Sequence, residues 1–262
     1  MPTSSSPSPT PHAIAQDAFV LLPLGPQAEE LRSDRFIARH TPSPHPLAGP
    51  VGRVRLTDVE GDRQEILGWF AARDRDQFAW LVGPDTAPAS LATQLVALGA
   101  VPYEHDPVWA GMLLTSPPPA VDAIDVRKIA SLDELHAGLD VIATTGGFSD
   151  AEREAAHTMA AKNWASPHTA GFIAYVDGVP AGSGGCCYAG SCTYLAGSGV
   201  LEEFRGRGVY RALVRARWDD SVVRGRPALV VQAGRTSKPI LEQLGFETVC
   251  EVRTFIDHVS SR

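Results

Sequence analysis

The chain has 262 residues, 44% hydrophobic and 20% charged, which is apolar content enough for one large or two smaller buried cores. Its formal net charge of −7 argues against binding to nucleic acid, which demands a basic surface, and mildly favours cationic partners. No apolar run approaches the roughly 20 residues that cross a bilayer, so no membrane partner is expected. The opening MPTSSSPSPTPH lacks the basic and apolar regions of a secretory leader; it predicts a disordered tail over residues 1–15 and a cytoplasmic chain.

Between 16 and 115, the apolar stretch 78–82 predicts a strand, and Leu91, Leu95 and Leu98 before Gly99 predict a helix. The SPPP run at Ser116 breaks regular structure and marks a linker over residues 116–120. A strand is expected over 123–129. A helix follows from Ser131, whose pairing with Glu134 is a capping box, and a second box at Ser149 and Glu152 starts another helix reaching about Trp164. Strands are expected at 171–176, 180–188 and 192–201, separated by turns at Asp177-Gly178 and Ala189-Gly190. A helix after Gly208, a strand at 227–232, a short helix at 236–244 and an extended segment at 246–256 complete an α/β chain with a mixed sheet.

Cys186, Cys187, Cys192 and Cys250 have no CxxC spacing and read as small buried hydrophobes. The eight histidines form no HxxxH or HExxH pair, so no metal site is expected.

Residues 199–213, GVLEEFRGRGVYRAL, run from a strand end through Arg-Gly-Arg-Gly into an amphipathic helix. A helix start leaves about four N–H groups without intrahelical partners and carries partial positive charge, so an anion is stabilised there. Gly206 and Gly208 permit the backbone angles of an anion nest, and Arg205 and Arg207 add planar cationic donors. No GKS or GKT follows, so this is not a Walker loop, and it is not the dinucleotide fingerprint GxGxxG. A single copy without interleaved aromatics in an acidic chain excludes an RGG-type RNA tract.

Residues 200–208 fit V-x-x-x-x-R-G-x-G, and the second helix after them ends in Leu244-Gly245-Phe246. With the meander before them, these two motifs resemble the GNAT superfamily of N-acyltransferases over residues 121–256, roughly half the chain. The resemblance implies a GNAT-like fold with splayed central strands and a domain at 121–262. It also implies that Arg205, Gly206, Arg207, Gly208, Val209 and Tyr210 cradle the pyrophosphate of acetyl-CoA, and that the backbone of Ser198, Gly199 and Val200 pairs with the pantetheine arm. Three positions depart from the family pattern: Tyr210 stands where the loop usually ends in Gly or Ala, Leu241 where a tyrosine often acts as general acid, and Gly234 where asparagine is common. The stretch 16–115 echoes the strand, helix and Leu-Gly ending of the second half without its Arg-Gly-x-Gly loop. It is read as a degenerate GNAT-like half or an unrelated small α/β domain.

The implied reaction is direct transfer of acetyl from acetyl-CoA to a primary amine of a small molecule. Catalytic candidates are Glu202 or its neighbour Glu203 as base, Tyr194 as proton carrier, and Ser237 or Thr236 in place of the missing tyrosine. Phe148 is a candidate wall of the acceptor pocket. The alternatives are a non-catalytic acyl-CoA sensor, and an enzyme acetylating protein N-termini or lysines. The sequence sets no oligomeric state.

Overall fold

A computed structural model describes residues 8–43, 45–121, 124–164 and 166–259. The chain divides into two compact units, the first made of residues 12–112, 232–240 and 248–259, the second of residues 8–11, 113–231 and 241–247. In chain order the elements are α1 (Pro11–Leu21), β1 (Glu29–Arg32), β2 (Ile37–His40), β3 (Pro50–Gly52), α2 (Val59–Ala71), β4 (Gln77–Val82), α3 (Leu91–Ala97), β5 (Val101–Pro102) and β6 (Val108–Leu114). There follow β7 (Asp125–Lys128), α4 (Leu132–Gly146), α5 (Asp150–Asn163), β8 (Thr169–Val176), β9 (Val179–Ala189), β10 (Cys192–Val200), α6 (Val209–Val223), β11 (Leu229–Ala233), α7 (Lys238–Gln243) and β12 (Glu247–His258). No helix among the described residues is long and apolar enough to cross a membrane.

The expected tail is partly helical. Residues 1–7 lie outside the described residues, whereas residues 11–15 open α1, which buries Ile14, Ala15, Ala18 and Val20 in the first unit. That apolar content is what a Ser/Pro-rich reading of the terminus overlooked.

The first unit orders its strands β1-β2-β3-β4-β12, with β5 on β12. Phe70, Phe78, Trp80, Leu91 and Leu95 fill its core, and the Phe70 and Phe78 rings stack at 4.6 Å. The last strand therefore leaves the expected 121–262 domain: β12 pairs antiparallel with β4, Phe255 opposite Trp80. A buried carboxylate gives the reason. Asp257, 1% exposed, accepts two 2.7 Å bonds from the Arg63 guanidinium on α2 and a 3.1 Å bond from the Trp80 indole.

The first unit also repeats, in geometry, the end of the second half. After α3 the Ala100 amide donates to Leu95 and Gly99 has φ +99; after α7 the Phe246 amide donates to Leu241 and Gly245 has φ +93. Leu95 and Leu241 are both fully buried. The parallel pair β3–β4, joined through α2, matches the parallel pair β10–β11, joined through α6. The helix starts differ. Asp58 caps α2 by accepting from the Gly61 amide, and Glu60 and Asp62 stand in its first turn, which closes that helix start to an anion. Helix α1 packs against the strand ends as well: Asp17 accepts from the Arg53 amide at 3.0 Å, Gln16 accepts from the Asp85 amide at 3.0 Å, and a Cβ at Gly52 would lie 2.8 Å from Val20.

The second unit orders its strands β11-β10-β9-β8-β7, antiparallel except for β10–β11. Side-chain alternation assigns its two faces. On one, Val209 and Leu213 of α6 pack with Phe172, Ala174, Val176 and Ala181. On the other, α4 approaches so closely that a Cβ on its Gly138 would sit 2.8 Å from Ser183 Oγ of β9. Ser149 and Glu152 form the full box at α5, whereas at α4 Ser131 accepts from the Glu134 amide while the Glu134 carboxylate accepts from the Ala130 amide. The strand expected from 123 starts at Asp125, with residues 122 and 123 outside the described residues.

Asp220 ties the end of α6 to this sheet, accepting from Lys128 Nζ at 2.6 Å, the Tyr188 hydroxyl at 2.5 Å and Arg224 Nε at 3.0 Å. Burial pushes its carboxyl upward, but the bonds from Lys128 and Tyr188 outweigh that and hold it below the ordinary carboxylate range.

Two stability predictions follow from these carboxylates. Asp257→Ala leaves the Arg63 charge and the Trp80 N–H without a partner and should cost about 3 kcal/mol in urea unfolding. Because the folded pKa of Asp220 is depressed, its contribution is full above the unfolded carboxyl pKa and disappears as pH falls through the folded value; Asp220→Asn should flatten that acid limb in unfolding curves taken across pH.

Candidate functional site

Strands β10 and β11 share two rungs, Thr193 with Leu229 and Tyr194 with Val230, and no further rung joins them among the described residues. Strand β10 nevertheless continues to Val200 against β9, with a register shift between Ala196 and Ser198. Gly197, φ +28, is the extra residue at that bulge, which turns β10 away from its parallel neighbour. Gly197 and Ser198 are exposed, so this edge of β10 faces open space. Gly199 is buried because Thr145 of α4 lies against it: a Cβ there would overlap the Thr145 hydroxyl, which donates to Val141 and Ile142 of its own helix. Gly197 thus makes the register shift and Gly199 allows the close approach of α4.

After Val200 a short 3₁₀ turn, Glu202–Phe204, leads to the Arg-Gly-Arg-Gly loop. Gly206 and Gly208 have φ +74 and +84, and Gly208 caps α6 without any side-chain bond. The backbone amides of residues 206–211 donate to no carbonyl among the described residues, and the first amide of the helix to do so is that of Ala212, to Gly208. Alternating handedness with open amides is the geometry of an anion nest, placed at the positive end of a 15-residue helix. Arg205 bends back to donate from Nε to the Val200 carbonyl at 3.4 Å. Arg207 lies over the Phe204 ring at 5.6 Å and 3.5 Å from Asp177. Val209 is buried and anchors the helix start, while Tyr210, expected as a bulky rim, is half-buried and within electrostatic reach of Arg217.

Arg217 is the residue that sequence reading missed. It is 0% exposed and makes no ion pair among the described residues. Its Nε donates to Leu213 at 2.9 Å, and Nη1 donates to Gly185 at 3.2 Å and to Ser198 Oγ at 2.9 Å. Its Nη2 finds no partner among the described residues. Burial pushes its pKa down. Two sequence signals could have found it: it falls four residues after Leu213 on the apolar stripe of α6, and β9 opposes it with Gly-Ser-Gly-Gly. A Cβ at Gly184 would lie 3.0 Å from Nη1, so glycine makes the room the guanidinium occupies.

The sequence-derived catalytic candidates are not gathered in one place. Glu202 is exposed in the 3₁₀ turn and has no side-chain partner among the described residues. Tyr194 is 7% exposed at the last rung of the β10–β11 ladder, six residues from Val200 and therefore about 20 Å along an extended strand. Ser237 lies in the first unit, and its hydroxyl donates to the Gly234 carbonyl at 3.3 Å. Leu241 is fully buried, so an apolar side chain anchors α7 where a tyrosine is common. Gly234 has a steric reason: a Cβ would run into the Asp106 carboxylate, which accepts from the Arg235 amide at 3.2 Å. Phe148, the candidate wall, lies 41% exposed over Gly146 at the end of α4. Burial pushes Cys187 and Cys192 up to about 12 and Cys250 up to about 11, which keeps these thiols protonated and poor nucleophiles at neutral pH.

A GCN5-related N-acetyltransferase from Kribbella flavida superposes with a TM-score of 0.68 at 16% identity, over 88% of this chain and 90% of that one. A GCN5-related N-acetyltransferase from Sphaerobacter thermophilus gives 0.61 at 18%, over 97% and 95% of the two chains. A tandem GNAT protein from the clavulanic acid biosynthesis pathway gives 0.64 at 16%, over 98% and 91%. At these identities the likeness establishes the fold. No curated protein matches the chain. Residues 139–246, however, match the model of the acetyltransferase (GNAT) family, a span that contains α4 from Leu139, the bulge, the open amides and the Leu-Gly-Phe ending. Residues 139–246 thus carry a domain that matches the acetyltransferase (GNAT) family, within a chain whose fold is that of GNAT proteins.

Proposed function

We propose that the second unit binds acetyl-CoA and transfers its acetyl group directly to the primary amine of a small molecule. The observation that carries this reading is one strand, β10, that loses its parallel neighbour after Tyr194 and then leads into six open amides at the head of α6. Those amides, from Gly206 through Val209 and Tyr210 to Arg211, suit a pyrophosphate, and Arg205 and Arg207 add charge beside it. The free edge at Ser198, Gly199 and Val200 suits the amide-bearing pantetheine arm, which would add to the sheet as an extra strand does.

In the transfer, the lone pair of the neutral amine attacks the thioester carbonyl carbon. The C–S bond breaks, the nitrogen loses a proton, and the thiolate gains one, giving an acetamide and a free thiol. A backbone N–H close to Val200 stabilises the oxyanion, and Glu202 receives the amine proton directly or through water. Ser198 delivers a proton to the thiolate. Its Oγ accepts from Arg217, so its own hydrogen is left for the open side of β10, and the adjacent cation stabilises the oxygen once that hydrogen departs. Arg217 is on this reading a positioning residue, acting through Ser198. Ser237 is the rival donor, although its hydroxyl is engaged by the Gly234 carbonyl.

A second reading, an acyl-CoA sensor without turnover, draws on the fully buried Leu241, which supplies no acid. It forecasts coenzyme binding with no thiol release from any amine.

Isothermal titration should give one acetyl-CoA per chain, because the start of α2 is capped by its own Asp58. Arg205→Ala with Arg207→Ala should weaken that binding roughly tenfold, and unchanged affinity would contradict the loop assignment. Ser198→Ala should lower kcat about a hundredfold with little change in acetyl-CoA affinity, measured by thiol release. If Ser237→Ala produces that loss and Ser198→Ala does not, the proton comes from the α7 turn.

A further inference from the structure

The second unit holds a cavity of about 390 Å³ on the face of its sheet opposite α6. Its floor is made by what β8 and β9 lack. Gly171 and Gly185 stand opposite each other in register, both without side chains, and a Cβ at Gly171 would lie 2.6 Å from Ile129. Leu139 and Ile142 of α4 roof it, and Ala160 and Trp164 of the α5 end close its side, with Trp164 38% exposed at the mouth.

Its polar character is sparse and specific. Lys128 is the one charged residue among the described lining residues, and its ammonium is directed to Asp220 at 2.6 Å and the Phe172 ring at 5.9 Å. Ser183 lies in the floor, 2% exposed, with its Oγ turned to α4, 2.8 Å from where a Cβ on Gly138 would stand. A hydroxyl set in a mostly apolar floor suits one polar group on a ligand. The inner end reaches the bulge: Gly185 is in register with Ala196, and Ile142 Cδ1 lies 3.9 Å from where a Gly197 Cβ would stand. A molecule seated here would meet β10 from the α4 face, while the open amides belong to the helix on the other face.

We infer that this cavity selects the acyl acceptor, and that the acceptor is a primary amine carried on an aryl or branched-alkyl body with a single polar group for Ser183. This rests on the acetyl-transfer reading above. A polyhydroxylated aminosugar would bring several hydroxyls into a lining that offers few partners, and each buried unpaired hydroxyl opposes binding. An aromatic or branched-alkyl body fills the same space with no such loss.

The test combines calorimetry with thiol release, on the full chain and on Ala160→Phe, which fills the cavity wall. The probes are 2-phenylethylamine, 3-methylbutylamine and glucosamine. Binding of the first two, with or without coenzyme A present, weakened at least tenfold in the variant while acetyl-CoA affinity holds, supports the inference. Ser183→Ala should weaken binding of tyramine, an arylalkylamine with one added hydroxyl, more than that of 3-methylbutylamine. Preference for glucosamine in kcat/KM, no amine binding at millimolar concentration, or equal affinities in Ala160→Phe would overturn it. Amine binding that depends on the cavity, with no acetyl-CoA binding, would remove the transfer reading and leave the cavity assignment standing.

Discussion

Strands β10 and β11 part after two rungs, and the second unit is arranged around that parting. A parallel ladder normally runs on until one strand ends, because each lost rung leaves backbone groups to be satisfied by something else. Here β10 runs on to Val200 with one edge committed to β9 and the other open, so a partner with its own amides is the natural complement. The glycines of β9 and β10 make this geometry possible from both faces. Gly197 supplies the bulge, Gly199 lets Thr145 of α4 come close, and Gly184 admits the guanidinium of Arg217 from α6.

The two faces thereby acquire different chemistry. The α6 face carries open amides, Arg205, Arg207 and, beneath the bulge, a buried arginine with no carboxylate against it among the described residues. Such a charge costs stability unless its donors are met, and Arg217 has one nitrogen still without a partner among the described residues. Retaining it there is intelligible if its hydrogen bond to Ser198 contributes to turnover rather than to folding. The α4 face carries a mostly apolar cavity with the Ser183 hydroxyl in its floor. On the proposed reading, donor chemistry and acceptor selection are separated by a single strand.

The first unit repeats the same local plan with a helix start that is closed. Its β3–β4 pair, its α2 crossover and its Leu95-to-Gly99 closure parallel those of β10–β11, α6 and Leu241 to Gly245. A self-supplied carboxylate cap replaces the glycine cap, acidic side chains fill the first turn, and α1 occupies the strand ends through Gln16, Asp17 and Val20. A helix start that satisfies its own amides has nothing left to offer a phosphate.

Local chemistry was legible in the sequence wherever a feature depends on residues close together along the chain. The Ser131 and Ser149 caps, the Asp177-Gly178 turn, the glycine-rich start of α6 and the Leu-Gly-Phe closure each arise from a few neighbouring side chains, and the family resemblance rests on two such stretches. Tertiary structure alone decided what depends on side chains far apart in sequence. Asp257 draws β12 to Arg63 and Trp80 in the first unit; Arg217 meets Ser198 only once α6 lies under β10; α1 folds because its apolar residues find a core; and the cavity beneath α4 exists because Gly171 and Gly185 come into register beneath Ile142. Burial and long-range register are properties of the packed chain, so no window of sequence contains them.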